Sequence, residues 1–146
     1  MSERPLCVWA SDHYGFPLPG AHPFPLAKYT LVREALLADG TIAPTWVSRS
    51  EPAPSDWLVA AHDPDYVART LAGDWTAAEV RRLGLPWSAD LVTRARAAIL
   101  GTVMAARAAL VHGVAGNLAG GTHHAFPERG EAYCLFNDAE IGRAHV

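Results

Sequence analysis

Two adjacent histidines, His123 and His124, follow a glycine pair in the stretch AGGTHHAFPERGEAYC, with Cys134 ten residues beyond His124. Adjacent residues on a strand point to opposite faces, so a His-His pair rarely chelates one metal as an i,i+4 helical pair does. On an irregular loop, both rings can converge on one cavity. Gly120 and Gly121 allow the backbone to turn sharply and approach a ligand closely. Two imidazoles with ordinary pKa values near ~6.5 then supply a neutral base and a protonated acid, once neighbouring carboxylates bias them apart. Residue type alone supports a structural role equally well. Cys134 by itself reads as a buried small hydrophobe rather than a nucleophile. His13 and His22 sit in a loop where wall and structural roles are balanced, and His62 in HDPDYV reads as a helix-start residue.

The elements that must position these residues follow from periodicity. Leu6–Ala10 is a short apolar run suited to a buried strand. The segment SDHYGFPLPGAHPFP after it is a loop, because its prolines and glycines forbid a regular helix. From Leu26, the residues Tyr29, Val32, Leu36 and Leu37 fall at helical spacing with one core face, Pro25 near the first turn and Gly40 as a stop. Thr45–Val47 reads as a short strand. DWLVAAHDPDYVARTLAG reads as two short helices broken at Asp63-Pro64. Thr76 and Glu79 form a capping box, and Ser88 N-caps the longest periodic segment, Ala89–Val111. There Val92, Ile99, Val103, Ala106 and Leu110 share one face, flanked by Arg96 and Arg107. Val114–Leu118 is short enough for a strand, with the histidine loop after it. Helices interleaved with short apolar strands predict an α/β sheet. Ligands of such sheets sit beyond the carboxyl ends of the strands.

Composition bounds the function. The 146 residues fit one domain, with 50% hydrophobic content for a core, 18% charged residues and a net charge of -3. No basic run offers a footprint for nucleic acid or an anionic membrane. No signal peptide and no span of ~20 apolar residues is read from the sequence, and a cytoplasmic location is expected. Two distant cysteines suggest neither a disulfide framework nor a CxxC metal site.

AGGTHHAFPERGEAYCLFND resembles the Gly-Gly-x-His-His-Ala motif and the following Gly-(Phe/Tyr)-Cys-x-x-Asn-Asp segment of the zinc-dependent histone deacetylase superfamily, including its bacterial and acetoin-utilization-like members. HPFPLAKY, AHDPDYV and GTVMAARAAL fall in the same family order. The resemblance covers residues 5–139. It implies an N-terminal half of the arginase/deacetylase-like three-layer α/β fold, with a mostly parallel sheet. It implies that His123 and His124 are the catalytic proton-handling pair, one helping to activate a metal-bound water and the other donating to the leaving amine. Tyr133 matches an aromatic wall of the acyl-lysine tunnel and Cys134 the small residue beside it. Ala132, which stands where glycine is usual, and His22 in HPFPLAKY are expected with Tyr133 and Cys134 to bind substrate, and Asn137 and Asp138 to support the fold. Leu100 occupies a position where a second glycine is common.

The implied cofactor is Zn2+ and the implied substrate acetyl-lysine or a small acetylated amine. The family's metal ligands, an Asp-x-His and a further Asp, and its transition-state Tyr follow the point where this sequence stops, so no metal ligand is assigned here. The 1–139 segment is therefore expected to be a partial deacetylase domain, inactive alone, with an exposed sheet edge. The alternative is a non-catalytic binding or assembly module that needs a partner chain. Residues 140–146 are expected to be a non-native tail, because Ile141–Val146 can be encoded by ATCGGAAGAGCACACGTC, which resembles a short-read sequencing adapter.

Overall fold

A computed structural model describes residues 6–120 and 122–146; Gly121, given a turning role above, lies outside them. Its centre is a three-stranded parallel sheet, β1 (Cys7–Ala10), β2 (Val47–Arg49) and β3 (Ala115–Asn117), in the order β2-β1-β3. Val8 pairs with Val47 on one side and Gly116 on the other. Parallel neighbours need crossovers, and helices supply them. Helix α1 (Lys28–Ala38) joins β1 to β2; α2 (Pro64–Ala72), α3 (Ala77–Leu83) and α4 (Ala89–His112) lead to β3, and α5 (Asp138–His145) follows. The chain thus moves outward from β1 in both directions, which makes the carboxyl end of β1 the switch point where open α/β sheets bind ligands.

Local chemistry accounts for the elements. Pro64 opens α2 and Gly73 closes it in the left-handed region. Thr76 and Glu79 form the expected capping box, and the Ser88 side chain accepts from the Leu91 N–H at the start of α4. Of the two short helices expected around Asp63, the first is a 3-10 turn, Ser55–Ala60. The strand expected at Thr45–Val47 lies two residues later. Pro44 instead opens a 3-10 turn, Pro44–Trp46, for which its fixed φ is suited. Ser48 and Arg49 are exposed on an edge strand and carry no apolar signal.

Helix α4 is the spine. It has the length and apolar content of a membrane span, yet it packs here on β1, β3 and α5. Val92, Ile99 and Val103 are buried as expected, whereas Leu110 is 77% exposed. The physical reason is length: a 24-residue helix extends ~36 Å, far beyond strands of three or four residues. Helix α1 also departs from expectation, since none of its residues is fully buried and Leu31 and Val32 are exposed. It is tied to the loop after β1, where Thr30 and Arg33 donate to Asp12, and neither strand packs closely on it. The main core gathers Leu58, Tyr66, Leu83, Leu85, Ile99, Phe136 and Ile141 around α4.

Candidate functional site

The loop after β3 carries Ala119, Thr122 and the histidine pair to the carboxyl end of the sheet. His123 and His124 are exposed, and their ring centroids lie 4.3 Å apart at an interplanar angle of 35°. Both imidazoles are therefore exposed side by side. The loop is held from below. Asn117 Nδ2 donates to the Ala98 carbonyl (2.8 Å) and to Thr102 Oγ1 (3.0 Å), while its Oδ1 accepts from the Ala119 N–H. Thr102 donates to Asp138 Oδ2 (3.0 Å), and Thr122 donates to Asp138 Oδ1. Asp138 is 1% exposed, so this is a buried polar chain running from α4 through α5 to the residue before His123. Asn137 Nδ2 adds bonds to the carbonyls of His123 and Ala125. The support role expected of Asn137 and Asp138 thus has a definite geometry.

A cavity of about 60 Å³ lies beside this loop, lined by Ala119, Thr122, Phe16, Phe24, Tyr29, Tyr133, Phe136 and Arg94 among others. Tyr133 is 42% exposed and packs on Phe24, with ring centroids 5.2 Å apart. Its backbone N–H donates to the Leu83 carbonyl at 2.7 Å, anchoring the wall to α3. Ala132 and Tyr133 have φ values of +50° and +64°. Glu131 and Cys134 exchange backbone hydrogen bonds across them, so the pair forms the centre of a tight two-residue hairpin turn. Such turns favour glycine, which explains physically why an alanine at 132 stands out.

His22 is fixed by two bonds. Its Nδ1 accepts from the Phe24 N–H (3.1 Å), which leaves the proton on Nε2 for the Gly84 carbonyl (3.0 Å). Its ring is 6.4 Å from that of Tyr133, so it braces the aromatic wall from behind. Cys134 is 1% exposed; its Sγ donates to the Phe136 carbonyl and accepts from the Ala125 N–H. Burial pushes its thiol pKa up, and it behaves as a packed, hydrogen-bonded thiol beneath the wall.

Three residues were not singled out for these roles by sequence. Arg94 is buried, and it follows the stripe Leu91, Arg94, Ala98, Gly101, Ala105 at helical spacing, so an arginine in a core stripe was the available signal. Thr122 carries no motif-independent signal. His62 does stand at a helix entry, but it is 3% exposed and bridges two loops: Nδ1 donates to the Phe126 carbonyl (2.9 Å) and Nε2 accepts from the Asn137 N–H (2.9 Å). Burial holds its pKa below the ordinary value.

The described residues do not fit a metal. No group of three or more His, Cys, Asp or Glu side chains able to hold one occurs among them, and Asp138 is occupied by Thr102 and Thr122. Closed zinc sites require four such donors and catalytic ones three.

A parallel sheet whose β3 loop presents paired imidazoles, and whose Thr122 lines an aromatic cavity, defines an α/β fold with a candidate acid–base site. The chain belongs to the histone deacetylase domain family, whose model matches residues 22–146. An uncharacterized protein of Picosynechococcus is 45% identical over 88% of this chain and 43% of its own length. The acetoin utilization protein AcuC of Staphylococcus aureus is 27% identical, over 99% of this chain and 40% of its own. The crystal structure of an HDAC homolog from Aquifex aeolicus superposes with a TM-score of 0.73 at 24% identity, covering 95% of this chain and 40% of that one. The fold is thus that of part of an arginase/deacetylase domain, and the chain spans about two fifths of the length of these relatives.

Proposed function

We propose that this chain forms the proton-handling part and one tunnel wall of a zinc-dependent deacetylase that hydrolyses the acetamide of acetyl-lysine or a small acetylated amine. The observation that carries this reading is the side-by-side exposure of His123 and His124 directly after Thr122, which lines the cavity walled by Tyr133, although neither histidine lines it. In it, one imidazole accepts a proton from the attacking water and the other donates to the leaving amine. Tyr133 and Phe24 exclude water from the acyl chain, and His22 holds Tyr133 in place. The described residues supply no metal-ligand set of their own, so the reaction is tested with the missing ligands provided by a relative. In this reading residues 1–139 are the deacetylase portion; Ile141 packs in the core with them, the family match runs to residue 146, and a genomic long read that encodes IGRAHV would refute the adapter origin expected for Ile141–Val146.

The test is a chimera in which the remainder of the Picosynechococcus relative follows residue 139. Supplied with zinc, it should release acetate from an acetyl-lysine peptide or from an acetylated amine. Replacing either histidine by alanine should reduce the rate by ~10²–10⁴-fold. A folded chimera whose rate is unaffected by both substitutions sinks the proposal.

One observation favours a second reading, a non-catalytic assembly module. Leu110, Val111 and Val114 are exposed beside β3, an edge strand. Under that reading, a partner chain covers this edge, and native mass spectrometry of the purified chain with its cellular partners would show a stable heteromer without zinc.

A further inference from the structure

Arg94 brings a cation into the wall of the cavity. It is 6% exposed, and its Nη1 donates to the carbonyls of Ser11 (2.7 Å) and Tyr14 (3.0 Å) in the loop after β1. Its guanidinium carbon lies 4.5 Å from the centroid of the Tyr29 ring. Nη2 is buried with no hydrogen-bond partner among the described residues, and none of the ion pairs among them involves Arg94. A buried guanidinium with no ion-pair partner among the described residues, with Asp12 acting on it only from a distance and with Nη2 unused, is costly, and a ligand carboxylate would offset both deficits.

The surroundings narrow the ligand. Phe16, Tyr29, Leu91, Tyr133 and Phe136 give the cavity aromatic and aliphatic walls that suit methylene groups. Its volume of about 60 Å³ is several times the ~10–15 Å³ that one water needs. An acetyl methyl group offers nothing to Nη2, and water would satisfy the N–H groups without neutralising the charge. We infer that the cavity takes an acyl chain ending in a carboxylate, as in a succinylated lysine, and that Arg94 is the residue that selects it. This rests on the acyl-lysine reading above and names its substrate class.

The 146-residue chain is suited to a direct test by NMR, following the Arg94 guanidinium resonances during titration with Nε-succinyl-lysine, Nε-acetyl-lysine or free succinate. Nε-succinyl-lysine should shift them at a concentration about tenfold or more below that required of Nε-acetyl-lysine, the scale of a charge-assisted hydrogen bond. Arg94→Met should erase the preference. Should that variant unfold because the Ser11 and Tyr14 bonds are lost, the wild-type comparison decides alone. Equal binding of the two acylated lysines, or no shift at Arg94, overturns the Arg94 inference and leaves the acyl-lysine reading standing. Binding of succinate with neither acylated lysine overturns the acyl-lysine reading itself.

Discussion

Thr122 donates its hydroxyl proton to the buried carboxylate of Asp138, tying the residue before the histidine pair to the first turn of α5. Thr102 on α4 donates to the other oxygen of the same carboxylate. One side chain thus joins two helices and the site loop, and the loop's position depends on all three.

Asp138→Ala should therefore destabilise the chain by about 2–3 kcal/mol, since both hydroxyls lose a charged acceptor in a buried setting. Urea unfolding followed by tryptophan fluorescence measures this. Asp138→Asn should be milder, because the amide oxygen still accepts one bond. Equal stability of wild type and Asp138→Ala would show that the polar chain is not structural.

Ala132→Gly should stabilise the chain by about 1 kcal/mol, because φ at 132 is +50°, a region where a Cβ is strained and glycine is not. A thermal melt should rise by ~2–4 °C for a chain of this size. Ala132→Val should fall in the opposite direction.

Gly101→Ala should destabilise. A Cβ there would stand 2.8 Å from both Nδ2 and Oδ1 of Asn117, which is held by Ala98, Thr102 and Ala119 and cannot yield freely. Overpacking of this kind costs ~1–3 kcal/mol, offset by the ~1 kcal/mol that alanine gains over glycine in a helix. In an Asn117→Ala background the same change should cost less, and a double-mutant cycle reads the difference.

Stability should fall as the pH drops below about 6.5, with His62 contributing. Its folded-state pKa lies below the ordinary value of 6.5, chiefly through burial. In the window between the two values the unfolded chain binds more protons, so acid favours unfolding. The stabilisation is complete above the unfolded pKa and is lost as pH falls through the folded one. Protonation would also remove the lone pair that accepts from the Asn137 N–H. His62→Asn should flatten the profile of unfolding free energy against pH; an unchanged slope would assign the effect to other groups.

Much of the architecture was legible in local chemistry. The Thr76–Glu79 capping box, the Ser88 N-cap and the Pro64 helix start are short-range signals, and each element began where they stand. β2 was displaced because its residues are exposed on a sheet edge and lack apolar alternation. Leu110 and the face of α1 were read as core because periodicity shows which residues share a face, without showing how far the covering sheet extends.

The sequence by itself determined the element order, the α/β class and the tandem histidines on a glycine-bounded loop, because caps, breakers and period are written in neighbouring residues. Tertiary structure alone decided that Asp138 holds Thr122, that His62 bridges Phe126 and Asn137, and that Arg94 lines a largely apolar cavity while its Nη2 is buried without a partner. Each joins residues far apart in the chain, and burial, which gives a polar group its energetic weight, exists only once those segments have packed.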